Sequence, residues 1–152
     1  MPTALFTKLN LGTHTVITVL DAPDSFAAEL AELAGVTVRT TLRGSAPIAF
    51  AIAFAQRQAQ VDALATRLVP RLADDAVFWI AYPKGTSTRF RCEFNRDTGW
   101  TAIGTAGFEP VRQVAIDEDW SALRFRRTTH IKALTRRESM LRSPEGKARR
   151  RG

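Results

Sequence analysis

The residues with the most chemical potential in this chain follow Tyr82-Pro83 in the stretch AYPKGTSTRFRCEFNRDTGW. Lys84, Thr86, Ser87 and Arg89 come within seven positions of one another, and Arg91, Arg96 and Asp97 follow closely. Cations and hydroxyls at this density suit an oxyanion: lysine supplies a point charge, arginine a planar fork of donors, and hydroxyls and a glycine backbone complete the shell. The stretch is not a phosphate loop of the GxxxxGK[ST] kind, because Lys84 precedes Gly85. The competing reading is that Pro83 and Gly85 turn the chain and the cations are solvated. A second group is Asp117-Glu118-Asp119-Trp120, with Arg124 in the strand behind it. Paired carboxylates can do acid–base work, but solvation of a hairpin turn explains three consecutive acids equally well. Trp120 either plugs the end of the core or stacks on a ligand, and Arg124 faces either a cleft or water. Asp97 is placed to cap a helix starting at Thr98, and Arg96 to pair with one of the acids at 117–119. The candidate ligand-binding set is therefore Lys84, Thr86, Ser87, Arg89, Arg96, Asp97, Asp117, Trp120 and Arg124. No residue is assigned to catalysis or to a metal.

Other chemistry finds little support. The chain has one cysteine, Cys92, and two histidines, His14 and His130, so neither an internal disulfide nor a zinc cluster is expected. Arg91 beside Cys92 is expected to lower the thiol pKa, yet no histidine is placed to complete a nucleophilic pair. Ser87 and Ser121 lack a Gly-x-Ser-x-Gly setting.

The elements that must position these residues alternate between buried strands and amphipathic helices. Thr15–Leu20 alternates and is β-branched, a strand, and Asp24 or Ser25 starts a helix that Gly35 terminates. Residues 36–42 form a second strand, and Arg43-Gly44-Ser45-Ala46-Pro47 a loop. IAFAIAFA (48–55) is apolar on both faces, as a parallel strand covered by helices on each side must be. Residues 56–72 read as a helix disturbed by Pro70, 76–82 as another buried strand, and 98–106 as a helix. Residues 110–116 and 121–127 are joined too tightly for a crossover helix and form an antiparallel hairpin. Thr129–Leu141 reads as a last helix. The order β-α-β-β-α-β-α-β-β predicts an α/β fold: three-layer, Rossmann-like, with a mostly parallel sheet and an antiparallel C-terminal hairpin.

At 152 residues the chain suits one domain, expected over residues 1–141, with a basic, disordered tail at 142–152. The net charge is +7. Residues 129–152 hold eight Lys or Arg against Glu138 and Glu145, so the folded part is nearly neutral. Such a tail attracts polyanions weakly and without sequence preference, or simply keeps the protein soluble. No apolar run approaches the roughly 18 residues of a membrane span, and residues 1–12 lack the order of a signal peptide. A cytoplasmic location without membrane partners is the expectation.

VITVLDAP (16–23), FWIAYPKGTS (78–87), FNRDTGW (94–100) and IDEDWSALRFRR (116–127) resemble a family of small, functionally uncharacterised bacterial proteins. That family is similar to a reduced version of the Rossmann-like S-adenosylmethionine-dependent methyltransferase fold. The resemblance spans roughly residues 5–137 and implies the fold without an activity. In methyltransferases the first strand runs into a glycine-rich turn and the second ends in an acid; here the corresponding segments are LDAPDSF and TVRTTLRG. S-adenosylmethionine is therefore expected to be an unlikely cofactor. The expectation for function is a non-catalytic Rossmann-like domain that binds a small anionic or nucleotide-like ligand, or a protein partner, at the strand-end loops. Two alternatives stand beside it: a methyltransferase-like enzyme with an atypical cofactor site, and a nucleic-acid-associated protein using its basic tail.

Overall fold

The computed structural model describes residues 3–131. The expected helix at 129–141, the tail at 142–152 and the domain boundary between them lie outside the described residues, except that Thr128–His130 forms a single 3₁₀ turn.

A six-stranded sheet runs in the order β2-β1-β3-β4-β6-β5. β1 (Val16–Leu20) lies between β2 (Thr37–Arg39) and β3 (Ile48–Phe54), and β3 pairs with β4 (Leu72–Pro83); these pairings are all parallel. β6 (Trp120–Arg127) then enters antiparallel between β4 and β5 (Phe108–Ala115). The α/β class, the parallel majority and the antiparallel end all match the sequence reading.

Both faces of the sheet are buried because β3 and residues 76–82 of β4 carry apolar residues at every position. On one face Phe78, Ile80, Tyr82, Leu123 and Phe125 pack with Val61 of α3 (Gln58–Arg67) and Ile103 of α4 (Thr101–Thr105). On the other, Phe50, Ile52, Phe54 and Trp79 pack with Phe6 of α1 (Ala4–Lys8) and Phe26 of α2 (Asp24–Ala31). The alternation along β4 fixes which side chains can reach which layer.

α1 is too short for hydrophobic periodicity to reveal it. It forms because the Thr3 side chain caps the Phe6 amide and because Phe6 and Leu9 are fully buried. The indole of Trp79 donates to the Leu9 carbonyl at 2.8 Å, which ties this segment to the centre of β4.

Three boundaries differ from the sequence reading. Pro70 offers no N–H and crowds the preceding turn, so α3 stops at Arg67 and a 3₁₀ turn, Val69–Arg71, follows. β4 starts at Leu72, with Asp74 and Asp75 exposed in the register shift between the Ile48 and Phe50 pairings of β3. Asp75 is held there by Arg126. The helix expected from Thr98 is the short α4, and its N-cap is Trp100 rather than Asp97. Asp97 instead donates its amide to the Asn95 side chain in a tight turn. The loop joining β2 to β3 is fastened by Arg71, whose guanidinium donates to the carbonyls of Leu42 and Ala46.

Candidate functional site

The carboxyl ends of β3 and β4 and the start of β6 open on a cleft of about 1400 Å³. One wall is the segment 84–99, which leaves β4 and returns to α4. Its first half is held to the hairpin turn. The Lys84 amide donates to the Asp119 carbonyl (2.7 Å), the Ser87 hydroxyl to Asp119 Oδ1 (2.9 Å), and the Arg89 guanidinium to Asp119 Oδ2 (2.6 and 3.0 Å). Its second half is held to α3. The Glu93 amide donates to the Gln56 carbonyl at 3.0 Å, the Gln58 amide to Glu93 Oε1 at 2.8 Å, and the Gln58 side chain to the Gly99 carbonyl at 2.8 Å.

The floor is aromatic. Tyr82, Phe94 and Trp100 pack edge to face or tilted, with centroids 5.1–5.9 Å apart, and Trp100 continues onto Phe125. Above this floor runs a directed chain of hydrogen bonds. Arg96 Nη1 donates to Gln113 Oε1 (3.3 Å), and Gln113 Nε2 donates to the Tyr82 hydroxyl oxygen (3.2 Å). Burial pushes the Tyr82 phenol above its ordinary pKa, with Arg96 opposing, so the phenol keeps its proton at neutral pH. Four cations line the cleft: Arg57, Lys84, Arg91 and Arg96. One acid joins them, Glu93, and its carboxylate is engaged by the first turn of α3.

Of the candidate residues read from the sequence, the structure brings Lys84, Ser87 and Arg96 together in this cleft. Thr86 is exposed beside it. Arg89 pairs with Asp119; the pairing with the hairpin acids expected of Arg96 is made by Arg89. Asp117 accepts from the amides of Asp119 and Trp120, shaping the turn. Trp120 is buried against Phe54 and Phe90, with centroids 5.2 and 5.0 Å away, on the opposite face of the sheet. Arg124 lies in mid-strand on β6, half buried, and donates to Asn10. Cys92 lines the cleft, but burial raises its thiol pKa, outweighing a hydrogen bond from the Phe94 backbone. The lowering expected from Arg91 does not occur. Sequence reasoning passed over Arg57, Tyr82 and Gln113. The signal for Arg57 was its place just after a buried strand, at the edge where open α/β sheets bind ligands; Gln113 reaches the cleft only through the hairpin register.

A second feature lies at the same edge, beyond β1. Asp21 immediately follows β1 and adopts φ 57°, the left-handed conformation that glycine usually supplies. α2 begins three residues later. Among the described residues, the buried indole Nε1 of Trp120, at the start of β6, has no hydrogen-bond partner.

No family model matches the chain, and no curated protein does. Solved structures do, and they define a methyltransferase-like Rossmann fold. A S-adenosylmethionine-dependent methyltransferase from Aquifex aeolicus superposes with a TM-score of 0.55 at 11% identity, covering 82% of this chain and 88% of that one. The magnesium protoporphyrin IX methyltransferase of Synechocystis PCC 6803, solved with S-adenosylhomocysteine, gives 0.52 at 13% identity, over 81% and 78% of the two chains. The N-methyltransferase NodS of Bradyrhizobium japonicum WM9 gives 0.51 at 13%, over 80% and 91%.

These similarities overturn one expectation. The absence of glycine from LDAPDSF was taken to make S-adenosylmethionine an unlikely cofactor, but the structures that share this sheet are methyltransferases, including one holding S-adenosylhomocysteine. A missing glycine does not by itself remove a left-handed turn, because aspartate also visits that region, and Asp21 adopts it. Among the described residues no helix is long and apolar enough to cross a membrane, and no group of metal-ligating side chains occurs.

Proposed function

We propose that the chain is a reduced methyltransferase-type domain that binds S-adenosylmethionine at the carboxyl ends of β1, β2 and β3, with an atypical set of partners. The observation that carries this reading is the sheet order. The chain leaves β1 toward β2 on one side and returns to β3 on the other, which makes a topological switch point between β1 and β3, and ligands of open α/β sheets bind at such crevices.

The residues present suit the group. Asp21 offers a carboxylate to a cationic or hydroxyl-bearing ligand from a left-handed turn that brings backbone close to it. The exposed hydroxyls of Thr40 and Thr41 follow β2, where they offer ribose a neutral partner. Bound S-adenosylmethionine would supply an electrophilic methyl group. The protein's part is to hold the cofactor at this edge and to present an acceptor from the adjoining cleft.

Calorimetric titration with S-adenosylhomocysteine tests this. Saturable binding is expected, with a rise in melting temperature; ligand at 100 times Kd contributes about 2.7 kcal/mol. Asp21→Asn is expected to weaken binding about tenfold, the scale of one charge-assisted hydrogen bond. Neither heat nor a melting shift with S-adenosylhomocysteine or S-adenosylmethionine would remove the proposal.

A further inference from the structure

We infer that the cleft between β4, β6 and the segment 84–99 is an oxyanion site, which takes a phosphate or carboxylate group of a small molecule. That this molecule is the methyl acceptor rests on the function proposed above; the binding itself does not.

The first argument is charge. Four cations converge on one concavity whose only acid, Glu93, is engaged by the amide of Gln58. Among the described residues Arg57, Lys84 and Arg91 make no ion pair, and Arg96 makes only a 3.9 Å contact with Asp97 in which both side chains are largely exposed. Contacts of that kind are weak and readily exchanged. Four cations against one carboxylate in the lining, among the described residues, leave a net positive potential, which a bound anion relieves.

Hydrogen-bond direction gives the second argument. In the chain from Arg96 through Gln113 to Tyr82, each acceptor is already used by the group before it. The Gln113 carbonyl receives Arg96, and the Tyr82 oxygen receives the Gln113 amide. Each of these oxygens keeps a second lone pair, but the open groups on Arg96 and Tyr82 include several donors, the other N–H groups of Arg96 and the Tyr82 O–H, which suit a ligand rich in acceptors.

Shape decides between a small molecule and a nucleic-acid backbone. A polyanion is held by a stripe of cations that follows successive phosphates. Here the cations surround a hollow floored by Tyr82, which is 4% exposed. A concavity of about 1400 Å³ bordered by cations suits a small molecule that carries an anionic group.

The test is a calorimetric titration of the full-length chain, without cofactor, with inorganic phosphate and separately with citrate, at ionic strength held constant with chloride. Saturable binding of at least one is expected, and the preferred anion tells phosphate from carboxylate chemistry. Arg96→Gln and Lys84→Gln, both at accessible positions, are each expected to weaken it about tenfold. Tyr82→Phe, which keeps the ring, is expected to weaken it about fivefold, as the loss of one neutral hydrogen bond does. The triple change Arg149→Gln, Arg150→Gln, Arg151→Gln is expected to leave it unchanged. The inference falls if neither anion saturates, if all three cleft variants bind like the parent, or if binding is lost in the triple variant, which would assign it to the basic terminus. Titration of S-adenosylhomocysteine into the same proteins separates the two proposals. Phosphate binding without cofactor binding leaves the oxyanion site standing alone, and the reverse leaves the cofactor site alone.

Discussion

Gly99 decides whether the wall of the cleft can form, and Gly99→Ala measures how tightly. The residue adopts φ 93°, where a side chain is strained, and an added Cβ would lie 2.6 Å from Phe94 Cβ and 2.7 Å from Gln58 Oε1. Neither neighbour yields easily. Phe94 Cβ is fixed by its own backbone, and the Gln58 amide is held by bonds to the Gly99 carbonyl and to Asp62. The left-handed conformation costs a non-glycine residue about 1–2 kcal/mol, and overpacking of a filled site costs about 1–3 kcal/mol. Against these, alanine lowers the entropy of the unfolded chain by about 0.4–1 kcal/mol. The expected net loss is about 1–4.5 kcal/mol, centred near 3, or roughly 6–12 °C in melting temperature at the centre for a chain of this size. Gly104 is the internal control: it lies within α4 with nothing inside 4 Å of an added Cβ. Gly104→Ala is expected to stabilise by about 0.5–1 kcal/mol. Thermal unfolding followed by circular dichroism, with urea midpoints for confirmation, reads both. A Gly99→Ala protein that melts within about 2 °C of the parent, on the scale of a neutral surface change, would refute the packing assigned to the segment 84–99.

Acid should loosen the other end of that segment. The hydrogen bond from Arg89, then that from Ser87, hold the Asp119 carboxyl below its ordinary pKa. A depressed carboxyl contributes stability above its unfolded value, near 3.9, and loses it as pH falls through the lower folded value. Urea midpoints between pH 2 and 7 should therefore fall more steeply below about pH 4 for the parent than for Asp119→Asn; parallel curves would contradict the role given to Asp119. At Cys92 burial keeps the thiol protonated near neutrality. A thiol-exchange reagent at pH 7.5 should modify it about tenfold more slowly than a free cysteine thiol, and labelling as fast as the free thiol would show that the site is open.

The fold was legible because IAFAIAFA (48–55) and AVFWIAY (76–82) are apolar at every position, and only helices on both faces can bury such strands. The reading of the hairpin followed from the short Asp-Glu-Asp turn. The site was legible in place more than in detail. Position at the carboxyl edge of β4 made Lys84, Ser87 and Arg96 ligand-binding candidates, and the structure places all three in the lining of the cleft. Position could not tell them from Arg89, whose side chain is spent on Asp119, because that contact joins residues thirty positions apart and depends on the strand register. Arg124 was misjudged for a related reason. Alternation on β6 puts its side chain on the face opposite Leu123 and Phe125, away from the cleft, and only the pairing with β4 shows which face that is.

The cofactor expectation failed in a more instructive way. Glycine is common after the first strand of such sheets because it reaches positive φ without strain, so its absence reads as the loss of the turn. Aspartate is one of the few other residues that visits this region, since its short side chain can bond locally. Asp21 adopts that conformation and carries a negative charge at the point where the sheet's connections diverge. The consequence can be measured in one substitution. Asp21→Gly restores the residue type of the usual turn while removing the carboxylate. If backbone approach alone governs the site, Asp21→Gly should bind S-adenosylhomocysteine at least as well as the parent. If the carboxylate is a partner, as proposed, it should bind about tenfold less well, like Asp21→Asn, because both lose the same charge-assisted bond. Asp21→Asn weakened while Asp21→Gly binds normally would show that the turn matters and the charge does not.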